Sequence, residues 1–147
     1  MGVVRAVCTS ERKGIQKKNQ GKGTFRVDHG IEGDAHAGNW HRQVSLLSYE
    51  RIAAFNAQGA DVVDGAFGEN LVVEGFDFST LPVGTRFMCG EVILEMTQIG
   101  KECHNHCAIH KKMGTCIMPT QGVFAKVIHG GEIAVGDPIE RIEAVVK

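Results

Sequence analysis

The stretch over residues 100–116, Gly-Lys-Glu-Cys-His-Asn-His-Cys-Ala-Ile-His-Lys-Lys-Met-Gly-Thr-Cys, gathers the residues best suited to sulfur or metal chemistry. It holds three of the five cysteines (Cys103, Cys107 and Cys116) and three of the seven histidines (His104, His106 and His110). Lys101, Lys111 and Lys112 stand among them. A nearby positive charge lowers a thiol pKa, and the thiolate is both the nucleophile and the metal ligand. Thiolate attack on sulfane sulfur is fastest when the attacking pKa lies near ambient pH. Lys101, His104 and His106 are of the types that would bring Cys107 toward that optimum. A structural zinc site competes with this, since Cys103 and Cys107 with His104, His106 or His110 supply enough ligands. Only the single Cys116 follows, however, and not the second separated pair that zinc modules use. Zinc therefore ranks below a thiol site, and plain packing of the cysteines ranks below both because their neighbours are polar.

A second set of polar residues lies upstream. Gly30, Gly33 and Gly38 oppose a long helix over residues 29–42, and Asp34, His36, His41 and Arg42 are too polar for a packing segment. Such residues on a loop held by a rigid scaffold commonly contact ligand. Asp34, His36 and His41 could also hold a metal, although their spacing matches no zinc signature. Gly68-Glu69-Asn70 is a tight polar turn that, alone, signifies only a turn. Arg12, Lys13, Lys17, Lys18 and Lys22 form a glycine-punctuated basic stretch over residues 10–23. It reads either as a solvated loop or as an arm that attracts an anionic ligand.

The elements that must position these groups are mostly strands. The chain has 147 residues, 43% of them hydrophobic, and is expected to form one domain over residues 1–147. Its 19 glycines recur at short intervals, which predicts many turns and short strands. Strands are expected over residues 2–9, 25–28, 43–47, 71–73, 92–97, 122–129, 133–135 and 138–142, with a turn leading into another over residues 81–87. Cys8 reads as a small core residue. Ser48 is a candidate N-cap for a helix over residues 49–58 that ends at Gly59, with Ile52, Ala53, Tyr49 and Phe55 facing the core. Cys89-Gly90 and Gly130-Gly131 suit hairpin turns. A closed β-barrel of complex topology with one or more short helices follows. A formal net charge of −1 gives no global basic field for nucleic acid. No apolar run approaches the length of a membrane span. The odd cysteine number, with no secretory segment ahead of it, points to free thiols in a reducing cytoplasm.

Three motifs stand in order: Gly33-Asp34-Ala35-His36 with His41-Arg42-Gln43-Val44-Ser45-Leu46, then Gly68-Glu69-Asn70, then Lys101-Glu102-Cys103-His104-Asn105-His106-Cys107. Together with Ser10-Glu11-Arg12-Lys13-Gly14 and the closing Val135-Gly136-Asp137-Pro138-Ile139, they resemble the MOSC domain family, named after the C-terminal domain of molybdenum cofactor sulfurase. The resemblance covers nearly the whole chain, as in small stand-alone members. It implies a mostly β barrel that binds molybdenum cofactor (molybdopterin), or carries sulfur as a cysteine persulfide, or both. Cys107, followed by Ala108-Ile109, best matches the family's sulfur-carrying or molybdenum-ligating cysteine, with Cys103 and Cys116 as alternates and Lys101 beside them. Arg42 would grip the cofactor's phosphate bidentately and Lys13 would add point charge. Gln43 and Asn70 would hydrogen-bond the pterin edge, with Asp34, His36, His41 and Glu69 completing the cofactor-binding candidates. The implied partners are a sulfur donor such as a cysteine desulfurase, and a molybdenum cofactor enzyme or biosynthesis protein as acceptor. A non-catalytic module that binds or stores the pterin cofactor is the alternative. The chain departs from many relatives in lacking an Arg-Pro pair before the cysteine and in carrying Ala35 where several have arginine or lysine.

Overall fold

Side-chain alternation sets the architecture. In the computed structural model the residues described are 2–11, 17–35, 37–40, 42–59, 65, 69–99 and 122–142. Their strands are β1 (Gly2–Thr9), β2 (Lys18–Asn19), β3 (Lys22–Arg26), β4 (Gly30–Ile31), β5 (Val44–Ser48), β6 (Leu71–Glu74), β7 (Arg86–Cys89), β8 (Val92–Ile99), β9 (Val123–His129), β10 (Gly131–Ala134) and β11 (Pro138–Ile142). One α-helix, α1 (Tyr49–Ala57), and one 3-10 turn (Phe78–Thr80) accompany them. In β8, Val92, Leu94 and Met96 are buried while Ile93 and Glu95 are only partly covered, the period-two pattern of a half-buried strand. Inward residues of this kind from seven strands meet in one core. The strands run β1, β6, β5, β9, β8, β7, β11 and back to β1, so the sheet closes into a barrel. Closure removes the exposed edges that an open sheet would leave.

Val4, Val7, Val44, Leu46, Leu71, Val73, Leu94, Met96, Val123, Ala125, Val127 and Ile139 belong to that core. Phe78 and Phe87 meet edge to face at 5.3 Å, and Phe76 joins Phe87 at 5.1 Å. Each large side chain removed from water contributes roughly 1.5–3 kcal/mol before the entropy of ordering it. The barrel pairings are antiparallel except β5 with β6, which run parallel. A parallel pair needs a crossover, and α1 lies between these two strands in the chain. Ile52 and Phe55 are the buried residues of α1, and Gly59 follows its end at φ +100°. Ala53, expected to face the core, is exposed.

Two other expectations change. Gly130-Gly131 is not a hairpin turn: β10 pairs with β3 rather than with β9. The glycines mark the point where the chain leaves the barrel for a small sheet of order β10-β3-β4. A β-carbon at Gly130 would stand 2.7 Å from the Phe25 carbonyl oxygen, so close backbone approach, not turn formation, is what requires the small residue. The basic stretch over residues 10–23 is not simply a solvated loop either. It contains β2, which pairs with β1, and the start of β3, and Lys17 is buried. The β7–β8 hairpin forms as expected, with Cys89 opposite Val92 and Gly90 at φ +59°.

Candidate functional site

Register pairing lays a row of residues across the barrel wall. Gln98 of β8 faces Phe124 of β9, and Phe124 faces Ser45 of β5. Asn70, just before β6, donates its backbone N–H to the Ser45 carbonyl at 2.9 Å. Cys8 of β1 in turn donates its N–H to the Asn70 carbonyl at 2.7 Å, and Cys8 faces Asn19 of β2. Val44, Leu46, Val123 and Ala125 point into the core, so Ser45 and Phe124 lie on the outer face by alternation. The next rung pairs Ile99 with Val123. The chain therefore leaves and re-enters the barrel at residues 99 and 122 beside this row, and the cysteine-rich stretch is tethered there at both ends.

Asn70 is the central bracket of the row. Its Oδ1 accepts from the Ser45 N–H at 2.9 Å and from the Ser45 hydroxyl at 3.2 Å. Its Nδ2 donates to the Cys8 carbonyl at 2.9 Å. Gln43 is likewise internal, 1% exposed, with Oε1 accepting from the Val127 N–H at 3.0 Å. Both side chains, offered by the sequence as pterin contacts, join strands here.

At one end of the row sits a buried charged cluster. Lys17 Nζ donates to Asp34 Oδ1 at 2.7 Å, and both side chains are 0% exposed. The same carboxylate oxygen accepts from the Ser10 N–H at 3.1 Å, and Lys17 Nζ also donates to Ser10 Oγ at 3.2 Å. The Lys17 N–H donates to the Gly65 carbonyl, while the Gly65 N–H donates to Glu69 Oε2 at 3.1 Å. A β-carbon at Gly65 would overlap the Lys17 carbonyl, and its φ is +86°, so glycine is required there. Asp34 and Glu69, both sequence candidates, are thus joined through Lys17 and Gly65.

At the other end stands Arg42. Its Nε donates to Gln98 Oε1 at 3.1 Å, and its guanidinium lies 5.1 Å from the centre of the Phe124 ring. A cation over an aromatic face gains about 0.5–1 kcal/mol at an open site. Arg5, Arg26, Arg51 and Arg86 each pair with a carboxylate. Arg42 is half-buried and, among the described residues, makes no ion pair. Ser45 and Phe124 stand between it and Asn70 in the row. Sequence reasoning missed Gln98 and Phe124, and named Ser10 and Lys17 only as members of a motif and of a basic stretch. The available signal was that Gln98 and Phe124 flank the cysteine-rich stretch on the strands that root it.

Lys13, His36, His41, Lys101, Cys103, Cys107 and Cys116 lie outside the described residues, as do the histidines considered as zinc ligands. Among the described residues no three His, Cys, Asp or Glu side chains form a metal-sized group. Cys8 and Cys89 are buried. Burial, with the Asp137 carboxylate adding to it, pushes the Cys89 thiol up to about 11. Cys89 is therefore a neutral core thiol at pH 7 and not a sulfur nucleophile.

A family model of the MOSC domain matches residues 33–140. The chain belongs to the MOSC domain family. That match spans the Asp34 loop, the Asn70 bracket, the cysteine-rich stretch and the start of β11. The fold is shared by the YuaD protein from Bacillus subtilis, at TM-score 0.70 and 20% identity over 95% of this chain and 94% of that one. It is shared also by YiiM from Escherichia coli, at TM-score 0.67 and 22% identity over 100% of this chain and 72% of that one. YiiM from Geobacillus stearothermophilus gives TM-score 0.72 and 16% identity over 97% and 76% of the two chains. No curated protein matches the chain significantly. No helix among the described residues of this MOSC domain is long and apolar enough to cross a membrane.

Proposed function

We propose that this MOSC domain serves molybdenum cofactor assembly, binding the pterin cofactor, carrying sulfur as a persulfide on Cys107, or both. The observation that carries this is the convergence of ordered family motifs on one barrel row. The Arg42 segment, the Asn70 bracket and the two roots of the cysteine-rich stretch lie on neighbouring strands. Arg42 fits the anionic part of such a cofactor, because a half-buried guanidinium with no carboxylate partner among the described residues suits a phosphate. When bound, the cofactor would supply a molybdenum centre able to accept a soft sulfur ligand. Cys107 is the residue for that ligand, with Cys103 as its alternate and Lys101 favouring the thiolate. His36, His41 and Lys13 are the remaining candidates for cofactor contact.

The sulfur step is a simple exchange. The Cys107 thiolate attacks the terminal sulfur of a donor persulfide, a new S–S bond forms, the donor's S–S bond breaks, and the donor leaves as thiolate. A cysteine desulfurase is a donor of the right chemistry, and a molybdenum cofactor enzyme or biosynthesis protein is the matching acceptor. Incubation with a desulfurase and cysteine should add about 32 Da, one sulfur atom, to the protein by mass spectrometry. The adduct should vanish in Cys107→Ser. Its survival in that variant would move the role to another cysteine, and its absence from the native protein would leave cofactor binding as the function. Pterin fluorescence after oxidation, on protein made in cells that synthesise molybdopterin, tests the binding half.

A further inference from the structure

We infer that Arg42, Gln98 and Phe124 form a built oxyanion subsite, in which Gln98 and Phe124 are positioning residues and the two terminal guanidinium nitrogens receive a phosphate group. Gln98 Oε1 accepts from the Nε–H at 3.1 Å, and the guanidinium carbon lies over the Phe124 ring, 5.1 Å from its centre. These two contacts anchor the group at its Nε edge and over one ring. They leave Nη1 and Nη2, the pair that grips an oxyanion bidentately, with no partner among the described residues. The neutral amide at position 98 matters. A carboxylate there would neutralise the cation, as Glu95 does for Arg86 and Glu74 for Arg5. Gln98 is itself fixed opposite Phe124, just past the register shift between Met96 and Gln98. Such a bulge re-aims a side chain next to a site. The site is accessible, since Arg42 and Gln98 are both half-buried and not sealed.

That the phosphate belongs to a pterin cofactor rests on the function proposed above; the subsite does not. The test is a titration of the full chain with inorganic phosphate at low ionic strength, followed through the Arg42 Nε–Hε resonance and by calorimetry, with acetate as the comparison. Phosphate should shift that resonance and bind at least fivefold more tightly than acetate. Arg42→Lys, which keeps the charge but loses the fork, should weaken binding about tenfold or more. Gln98→Glu should abolish binding while the melting temperature is kept or raised, a result that a merely structural role would not give. Phe124→Leu should weaken binding less than either. An unmoved Arg42 resonance in the native protein, equal affinity for acetate, or full phosphate affinity in Gln98→Glu would each overturn the subsite. Phosphate binding in a chain that takes up neither pterin cofactor nor persulfide sulfur would uphold the subsite while removing the function proposed above.

Discussion

Lys17 and Asp34 lie wholly out of water, paired with each other and hydrogen-bonded to Ser10. Removing one partner takes away the buried counter-charge of the other, at a cost of up to about 3–5 kcal/mol. Asp34→Asn or Lys17→Met should therefore lower the urea midpoint sharply, whereas exchanging both for apolar residues of similar volume should cost much less. Two other residues contribute to the pH dependence of stability. Burial alone would raise the Glu95 pKa, but hydrogen bonds and charge from Arg86 and Lys126 outweigh it and hold Glu95 below its ordinary value of 4.5. A depressed carboxylate stabilises the fold above its unfolded pKa, so this contribution is lost as pH falls below about 4.5, and Glu95→Gln should flatten the acid limb of a stability profile. Cys89 works the other way. Its folded value of about 11 exceeds its ordinary 9.0, so between these values the folded chain holds the extra proton. Stability should fall from pH 9 upward by at most about 1.4 kcal/mol per pH unit, and Cys89→Val should remove that slope. Asp34 was legible in the sequence as an unusual polar residue. Its partner was not, because Lys17 sits in a run of basic residues and nothing local singles out the one that is buried.

Strand positions were readable wherever one face is buried, as in β8, since alternation reports the core directly. Strand partners were not. The parallel β5–β6 pair and the departure of β10 from β9 depend on which backbone edges meet, and turn residues such as Gly130-Gly131 carry no information about that. The same gap explains Asn70. Its place in a polar turn was visible, but its work as a bracket across β5, β6 and β1 requires their spatial order. Asn70→Ala would leave the Ser45 N–H and the Cys8 carbonyl buried without their side-chain partner. Each such group costs about 1–3 kcal/mol, and the loss should appear as a lower denaturant midpoint together with faster amide exchange at Ser45.

The barrel as a whole is held shut along β1 and β11. Gly2 faces Ile139, Val3 faces Pro138, and the Val4 N–H donates to the Asp137 carbonyl at 3.0 Å. A β-carbon at Gly2 would overlap the Glu74 carbonyl and press on the Phe76 ring, so Gly2→Val should destabilise the molecule by about 1–3 kcal/mol in chemical denaturation. A barrel was expected from the rhythm of short strands and turns, and the ordered motifs placed it in the right family. The seam itself could not be foreseen, because its partners lie more than a hundred residues apart and share no local pattern. The seam also governs how the protein comes into being. Before residues 138–142 are synthesised, the Gly2–Val3 end of β1 and the outer edge of β7 have no barrel partner to close on. Only the arrival of residues 138–142 supplies the missing stave. Until then the newborn chain offers a free strand edge to its neighbours, so crowded or stalled translation is the stage at which it is most exposed to aggregation.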